Sequence, residues 1–121
     1  MELQRIPFEF SICKINHIEQ ADFTQEFVFL SKTSDELSLV CRTSCVPPNT
    51  VAIEPGWKAL KVSGILEFEM VGVIAKISNI LAKAYISIFV ISTFNTDYVL
   101  IKDENYENAI EALKCNAYII K

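Results

Sequence analysis

The stretch Val73-Ile-Ala-Lys-Ile-Ser-Asn-Ile-Leu-Ala-Lys-Ala84 decides how this chain folds. Val73, Ile74, Ile77, Ile80, Leu81 and Ala84 recur at the spacing that lines one side of an α-helix, while Lys76, Asn79 and Lys83 fall opposite. One amphipathic helix is predicted, entered through a loop over Ile65 to Gly72. Before the loop, Trp57 to Ser63 reads as a strand that Gly64 ends. After the helix, Ile86 to Thr93 is rich in β-formers and apolar on both faces, with Ile86, Ile88 and Val90 set against Phe89 and Ile91. That composition is expected of a central strand covered by helices or by another module. Phe94-Asn95-Thr96 then turns the chain into a strand over Asp97 to Ile101.

A second helix opens at Asp103, whose carboxylate can accept from first-turn amides, and Tyr106, Ala109, Ile110 and Leu113 form its buried stripe. Asn116 closes it, because asparagine tolerates the left-handed conformation at a helix end. Ala117 to Ile120 returns as a last strand. The resulting order, strand, helix, strand, strand, helix, strand, is the ferredoxin-like βαββαβ arrangement of an α+β fold, with both helices on one face of an antiparallel sheet.

The first half has a different character. Phe8, Phe10 and Ile12 mark one strand, Glu26 to Ser31 a second, and Leu37, Leu39 and Cys41 a third. Lys32-Thr-Ser-Asp-Glu36 is a polar run without apolar periodicity, so an antiparallel hairpin joins the last two. Asn16 to Gln25 is polar enough for a loop or one helical turn capped near Asp22 or Thr24. Two prolines make Cys45-Val-Pro-Pro-Asn49 a turn, and Val51 to Glu54 one more short strand. Pro55-Gly56 then punctuates the chain, which places a module boundary there: a β-rich half over residues 1–55 and a βαββαβ module over 56–121.

Composition narrows the function. A chain of 121 residues with 51% hydrophobic and 21% charged residues has ample material for a packed interior. Its formal charge of −4 and scattered Lys and Arg residues argue against nucleic acid, which rewards a basic surface through counterion release. Neither an export signal nor a run long enough to cross a membrane is visible, so no membrane partner and a cytoplasmic location are expected. Cys13, Cys41, Cys45 and Cys115 lack metal-ligand spacing and are read as structural, small hydrophobes. With His17 as the single histidine, neither a Ser-His-Asp nor a Cys-His set is expected, and no metal or other cofactor is called for.

The segment from Met70-Val-Gly-Val-Ile-Ala-Lys-Ile77 through Ile86-Ser-Ile-Phe-Val-Ile-Ser-Thr-Phe-Asn-Thr-Asp-Tyr98 resembles the ACT domain family, and its two-module branch related to aspartokinase regulatory regions. Thr33-Ser-Asp-Glu-Leu-Ser38 and Gly56-Trp-Lys-Ala-Leu60 are similar to a hairpin and a strand start of that branch, so the resemblance covers nearly the whole chain. It implies that the first half is an ACT-like module too. Three positions depart from the family pattern: Tyr85 where Gly ends the first helix, Asn95 where Asp is common, and Cys115-Asn-Ala117 where Ala-Gly-His is common.

What the resemblance implies is a regulatory homodimer, not an enzyme, that binds a free amino acid or similar small molecule at an interface of ACT-like modules. The implied contacts are Glu69, Met70, Val71, Gly72 and Val73 at the start of the first helix, with Thr93, Phe94, Asn95, Thr96 and Asp97 from the following hairpin. Physically, Gly72 lets a ligand approach the backbone, and amides at a helix N-terminus suit a carboxylate. Each contact has a plainer counterpart: Gly72 as a turn residue, Asp97 as an Asx-type turn stabiliser beside Thr96, Trp57 as an anchor between modules. Glu67 and Glu69 have the spacing of paired carboxylates, but on an extended loop they read as a solvated edge. The alternative function is an assembly module that binds no ligand and regulates a partner enzyme through sheet packing.

Overall fold

Alternation and helical periodicity become seven strands and two α-helices in a computed structural model, which describes residues 1–64 and 71–121. In chain order these are β1 (Glu2–Lys14), β2 (Phe29–Lys32), β3 (Leu37–Arg42), β4 (Ala52–Val62), α1 (Val73–Lys83), β5 (Ile88–Ser92), β6 (Asp97–Lys102), α2 (Asp103–Cys115) and β7 (Ile119–Ile120). Short 3₁₀ turns occupy Ile18–Gln20 and Thr43–Cys45. The loop expected over Ile65 to Gly72 lies mostly outside the described residues.

The chain divides into a helical unit, Met1–Pro7 with Lys58–Lys121, and a strand-rich unit, Phe8–Trp57. This division does not coincide with a break at Pro55-Gly56. β4 runs through both residues, joining the strands expected over Val51 to Glu54 and Trp57 to Ser63. Gly56 adopts φ +83° inside the strand, so the Pro-Gly pair marks a local irregularity of a continuous element.

In the helical unit the strand order is β7-β1-β4-β6-β5. The start of β1 therefore completes this sheet, pairing in parallel with β7 through Glu2↔Ile119 and Leu3↔Ile120. β5 stands at the end of the order, not at its centre. An apolar composition on both faces reports what covers a strand's faces and carries no information on whether its edges are paired. Ile88, Phe89, Val90 and Ile91 are each half-buried within one chain.

One core explains the helix periodicity. Leu3, Leu60, Val62, Val99 and Ile101, which alternate along their strands, meet Ile77 and Leu81 of α1 and Tyr106, Ala109, Ile110 and Leu113 of α2. Both helices thus cover the same sheet face, as the βαββαβ order requires.

Each helix ends in a Schellman arrangement. After α1, Ile86 N donates to Leu81 O at 2.9 Å and Tyr85 N to Ala82 O at 3.0 Å, with Tyr85 at φ +60°. After α2, Tyr118 N donates to Leu113 O and Ala117 N to Lys114 O, both at 3.1 Å. Here the left-handed residue is Ala117, at φ +68°, and not Asn116, whose φ is −106°. Asn116 caps instead with its side chain, Nδ2 donating to Ala112 O at 2.8 Å. At the other end of α2, Asp103 is the first helical residue and makes no capping bond; with Glu104 it places negative charge at the positive end of the helix dipole.

The strand-rich unit has the order β2-β3-β1-β4, with β3 antiparallel to both β1 and β2. β2 begins three residues later than its sequence suggests, after Phe27 at φ +60° interrupts the extended run. Cys13, Ile15, Ala21, Leu39 and Cys41 form its core. Asp22 sits at a turn rather than at a helix: its Oδ1 accepts from Thr24 N at 3.0 Å.

The hairpins of the two units repeat one another. Thr33 N donates to Glu36 O at 3.0 Å, and sixty residues on, Thr93 N donates to Thr96 O at 2.8 Å. In each, the threonine hydroxyl donates to that same carbonyl, at 3.4 Å and 3.0 Å, and accepts from that residue's amide, at 3.2 Å and 3.4 Å. The strands beyond end alike, at Arg42 (φ −59°, ψ 142°) and Lys102 (φ −57°, ψ 141°). From there one unit makes a single 3₁₀ turn and the other builds α2.

Candidate functional site

The expected ligand contacts fall on two pieces of the helical unit, the entry to α1 and the β5–β6 hairpin. Glu69 and Met70 lie outside the described residues, as does Glu67. Val71 is almost fully exposed, whereas Val73, in the first turn of α1, packs on the helical core. Gly72 is the N-cap, at φ +80°, and its carbonyl accepts from Lys76 N at 2.9 Å. A Cβ at Gly72 would meet nothing within 4 Å, so its backbone conformation, not crowding, calls for glycine there. α1 carries no side-chain cap bond at its N-cap and no acidic residue in its first turn. α2, by contrast, has Asp103 and Glu104 there.

On the hairpin the five expected residues are not equivalent. Phe94 and Asn95 occupy the exposed tip. Thr93 closes the turn through the bonds described above. Thr96 turns inward: it is 4% exposed and its hydroxyl donates to Val62 O, at the end of β4, at 2.7 Å. Asp97, the first residue of β6, stands opposite Ser92, whose hydroxyl donates to Asp97 Oδ1 at 2.6 Å. This cross-strand pair replaces the Asx-type turn that the sequence suggested. Ser92 and Val62 were missed from the sequence, although a serine and an aspartate flanking a four-residue turn are a recognisable signal for the first.

The bond from Thr96 to Val62 ties the hairpin to the strand end from which the chain leaves toward Gly72. The bond places the turn at the end of β4, the strand that precedes α1 in the chain. The ACT domain profile matches residues 52–115. The chain belongs to the ACT domain family.

ACT domains are regulatory modules. A crystal structure of an Agrobacterium tumefaciens protein is similar to this ACT protein with a TM-score of 0.88 and 27% identity, over 99% of this chain and 91% of that one. The Clostridium acetobutylicum aspartate kinase shares the fold, with a TM-score of 0.64 and 14% identity, over 93% of this chain and 32% of the kinase. The human cytosolic arginine sensor for mTORC1 subunit 1 is 37% identical over 59 residues, which are 48% of this chain. That match spans 18% of the sensor's own length.

Among the described residues, no group of three or more His, Cys, Asp or Glu side chains could hold a metal ion, and no helix is long and apolar enough to cross a membrane. All four cysteines are free thiols. Cys13 and Cys41 are buried as expected, and burial pushes the Cys41 thiol up to about 12, with the neighbouring Cys13 and Cys45 adding to the effect. Cys115 departs from that reading: it is exposed at the last position of α2 and packs in no core.

Proposed function

We propose that this ACT protein is a cytoplasmic regulatory sensor that binds a free amino acid, or a small molecule of the same kind, between the α1 entry and the β5–β6 hairpin. Supporting this reading above all is the Thr96–Val62 bond, which holds the hairpin at the end of β4, the strand that precedes α1 in the chain. The amides from Val71 to Val73, at a helix end without a side-chain cap or an acidic first turn, suit the ligand's carboxylate. Asp97 suits its ammonium, and the Asn95 amide, where the family commonly has a carboxylate, tunes which side chain is accepted. Binding of this kind needs no proton transfer, and no catalytic role is assigned to Glu67 or Glu69.

Similarity to an arginine sensor makes arginine the first ligand to try. Thermal unfolding in the presence of each of the twenty amino acids tests the proposal, since a ligand at a hundred times its Kd adds about 2.7 kcal/mol of stability. A specific rise that Asp97→Asn abolishes is the expected result. A flat response to all twenty at millimolar concentration would end the sensor reading.

The position of β5 favours a second reading, in which the protein acts by assembly. A strand apolar on both faces, half-buried and at the end of its sheet suits pairing with the same strand of another copy to form a homodimer. Sedimentation of the unmodified protein and of Ile91→Lys tests this; a monomer in both cases excludes it. A dimer without any amino-acid response would make assembly, with control of a partner enzyme, the better account.

A further inference from the structure

We propose that Cys45 is a site of reversible oxidation by hydroperoxides, with Cys41 as the thiol that closes the product into a disulfide. Cys13 and Cys41 lie in the core of the strand-rich unit, and Cys45, half-buried, packs against that core from the Thr43–Cys45 turn. Every group involved belongs to the strand-rich unit, so the proposal stands apart from the sensor reading.

The surroundings of the Cys45 sulfur suit this chemistry. Arg42 Nη2 donates to Cys45 Sγ at 3.6 Å, and Ser44 Oγ lies 3.8 Å from the same sulfur. The guanidinium is held in place: it donates to Gln25 Oε1 at 2.5 Å and lies over the Phe8 ring, 4.8 Å from its centroid. Arg42 Nε is buried and has no hydrogen-bond partner. Nε and Nη2 share one edge of a guanidinium, so an oxygen added to Cys45 Sγ offers that stranded N–H an acceptor. A buried donor without an acceptor is costly, and oxidation of the sulfur relieves that cost.

The ionised sulfur of Cys45 attacks the terminal oxygen of a hydroperoxide; an S–O bond forms, the O–O bond breaks, and the departing alkoxide takes a proton from water. Sulfur gives up the electron pair that the peroxide gains, and Cys45 becomes a sulfenic acid. The guanidinium at the sulfur stabilises the negative charge passing through that step. Cys41 then attacks the Cys45 sulfur: the S–S bond forms, the S–O bond breaks, and the oxygen leaves as water with the Cys41 proton. Burial keeps the Cys41 thiol protonated, which directs the peroxide to Cys45. The Thr43–Cys45 turn, closed by a long bond from Val46 N to Thr43 O at 3.3 Å, is the part that yields as the sulfurs approach. A disulfide made and broken in this way suits the cytoplasmic location proposed above, where lasting disulfides are rare.

Trypsin cuts after Arg5, Lys14, Lys32, Arg42 and Lys58, so Cys13, Cys41 and Cys45 fall on separate peptides, 6–14, 33–42 and 43–58. The full chain carrying Cys115→Ser, which removes the exposed thiol of α2, is treated with hydrogen peroxide, capped with N-ethylmaleimide and mapped without reduction. We expect peptides 33–42 and 43–58 to be joined by a disulfide that dithiothreitol opens. With Cys41→Ser added, dimedone should instead trap a sulfenic acid on Cys45. Arg42→Met, which keeps an apolar stem over Phe8 but removes the charge, should slow the oxidation at least tenfold, and Arg42→Lys should recover part of the rate. A peptide 43–58 still fully alkylated after a peroxide dose that oxidises free glutathione would overturn the proposal. So would a bridge to peptide 6–14 in place of 33–42, or an Arg42→Met variant that oxidises as fast as its parent.

Discussion

The hydroxyl of Thr96 donates to the carbonyl of Val62 at 2.7 Å, and this buried bond joins the β5–β6 turn to the end of β4 across thirty-four residues of sequence. Thr96→Val keeps the shape but removes the donor, and is expected to cost about 1–3 kcal/mol, the penalty of a buried carbonyl left unsatisfied. Thr96→Ser keeps the hydroxyl and should recover most of the loss. Urea unfolding of the three proteins checks this; equal midpoints for Val and Thr at this position would show that the bond contributes nothing.

Ala117 and Tyr85 hold left-handed conformations with ordinary side chains at the C′ position of α2 and α1. Relief of that strain, about 1–2 kcal/mol for a non-glycine residue, outweighs the added unfolded-state entropy of glycine, about 0.5–1 kcal/mol. Ala117→Gly is therefore expected to raise the thermal midpoint, and Tyr85→Gly to do so too, because Tyr85 is 95% exposed and gives up little packing. Gly72→Ala, with the same geometry reversed, should lower it. Calorimetry on the three variants reads the signs directly.

Leu81 and Leu113 are fully buried in the core shared by α1, α2 and the sheet, and each is also the C3 residue that its helix's Schellman bond returns to. Truncating either to alanine is expected to cost about 2–5 kcal/mol. Lys83→Ala, at an exposed position on the same helix, should change stability by less than about 0.5 kcal/mol. A small effect of Leu81→Ala in denaturant unfolding would contradict the packing described.

Burial holds the Cys41 thiol neutral far above the range of a free cysteine, up to about 12. Because the folded value is raised, the folded state binds this proton where the unfolded chain releases it. The resulting stability is fully present below about pH 9 and is lost as pH rises from there toward 12. Burial raises Cys13 and Tyr98, Tyr106 and Tyr118 as well, so all five act in the same alkaline direction. Cys41→Ala is expected to flatten the decline of stability between pH 9 and 10.5 in urea titrations. At neutral pH, Cys115 should be alkylated first and Cys13 and Cys41 only on unfolding.

Local periodicity made the helices legible. The apolar stripe from Val73 to Ala84 and that from Tyr106 to Leu113 became α1 and α2 within a residue or two, and the Thr33 and Thr93 turns stood where polar runs interrupt β-formers. Element ends were less legible: whether Asn116 or Ala117 takes the left-handed conformation depends on where the last helical hydrogen bond closes, and either residue can supply a backbone amide to it. Thr93, Phe94, Asn95, Thr96 and Asp97 lie together at the β5–β6 turn, where the polar run in the sequence puts a turn. Their division into an exposed tip, an inward hydroxyl and a serine-bonded carboxylate depended on partners far along the chain or across the ladder.

What the sequence determined by itself was both helices, most of the strands, their order and the family, because hydrophobic period and turn chemistry act over a few residues. Only the tertiary structure decided that β1 begins inside the helical unit beside β7, that β5 ends the strand order, and that Pro55-Gly56 lies within one strand. Strand neighbours are chosen by hydrogen bonds between segments as far apart in sequence as Glu2 and Ile119, and such pairing leaves no periodic trace in either segment. The turn residues could be named from the sequence; that Val62 is what holds Thr96 in place could not.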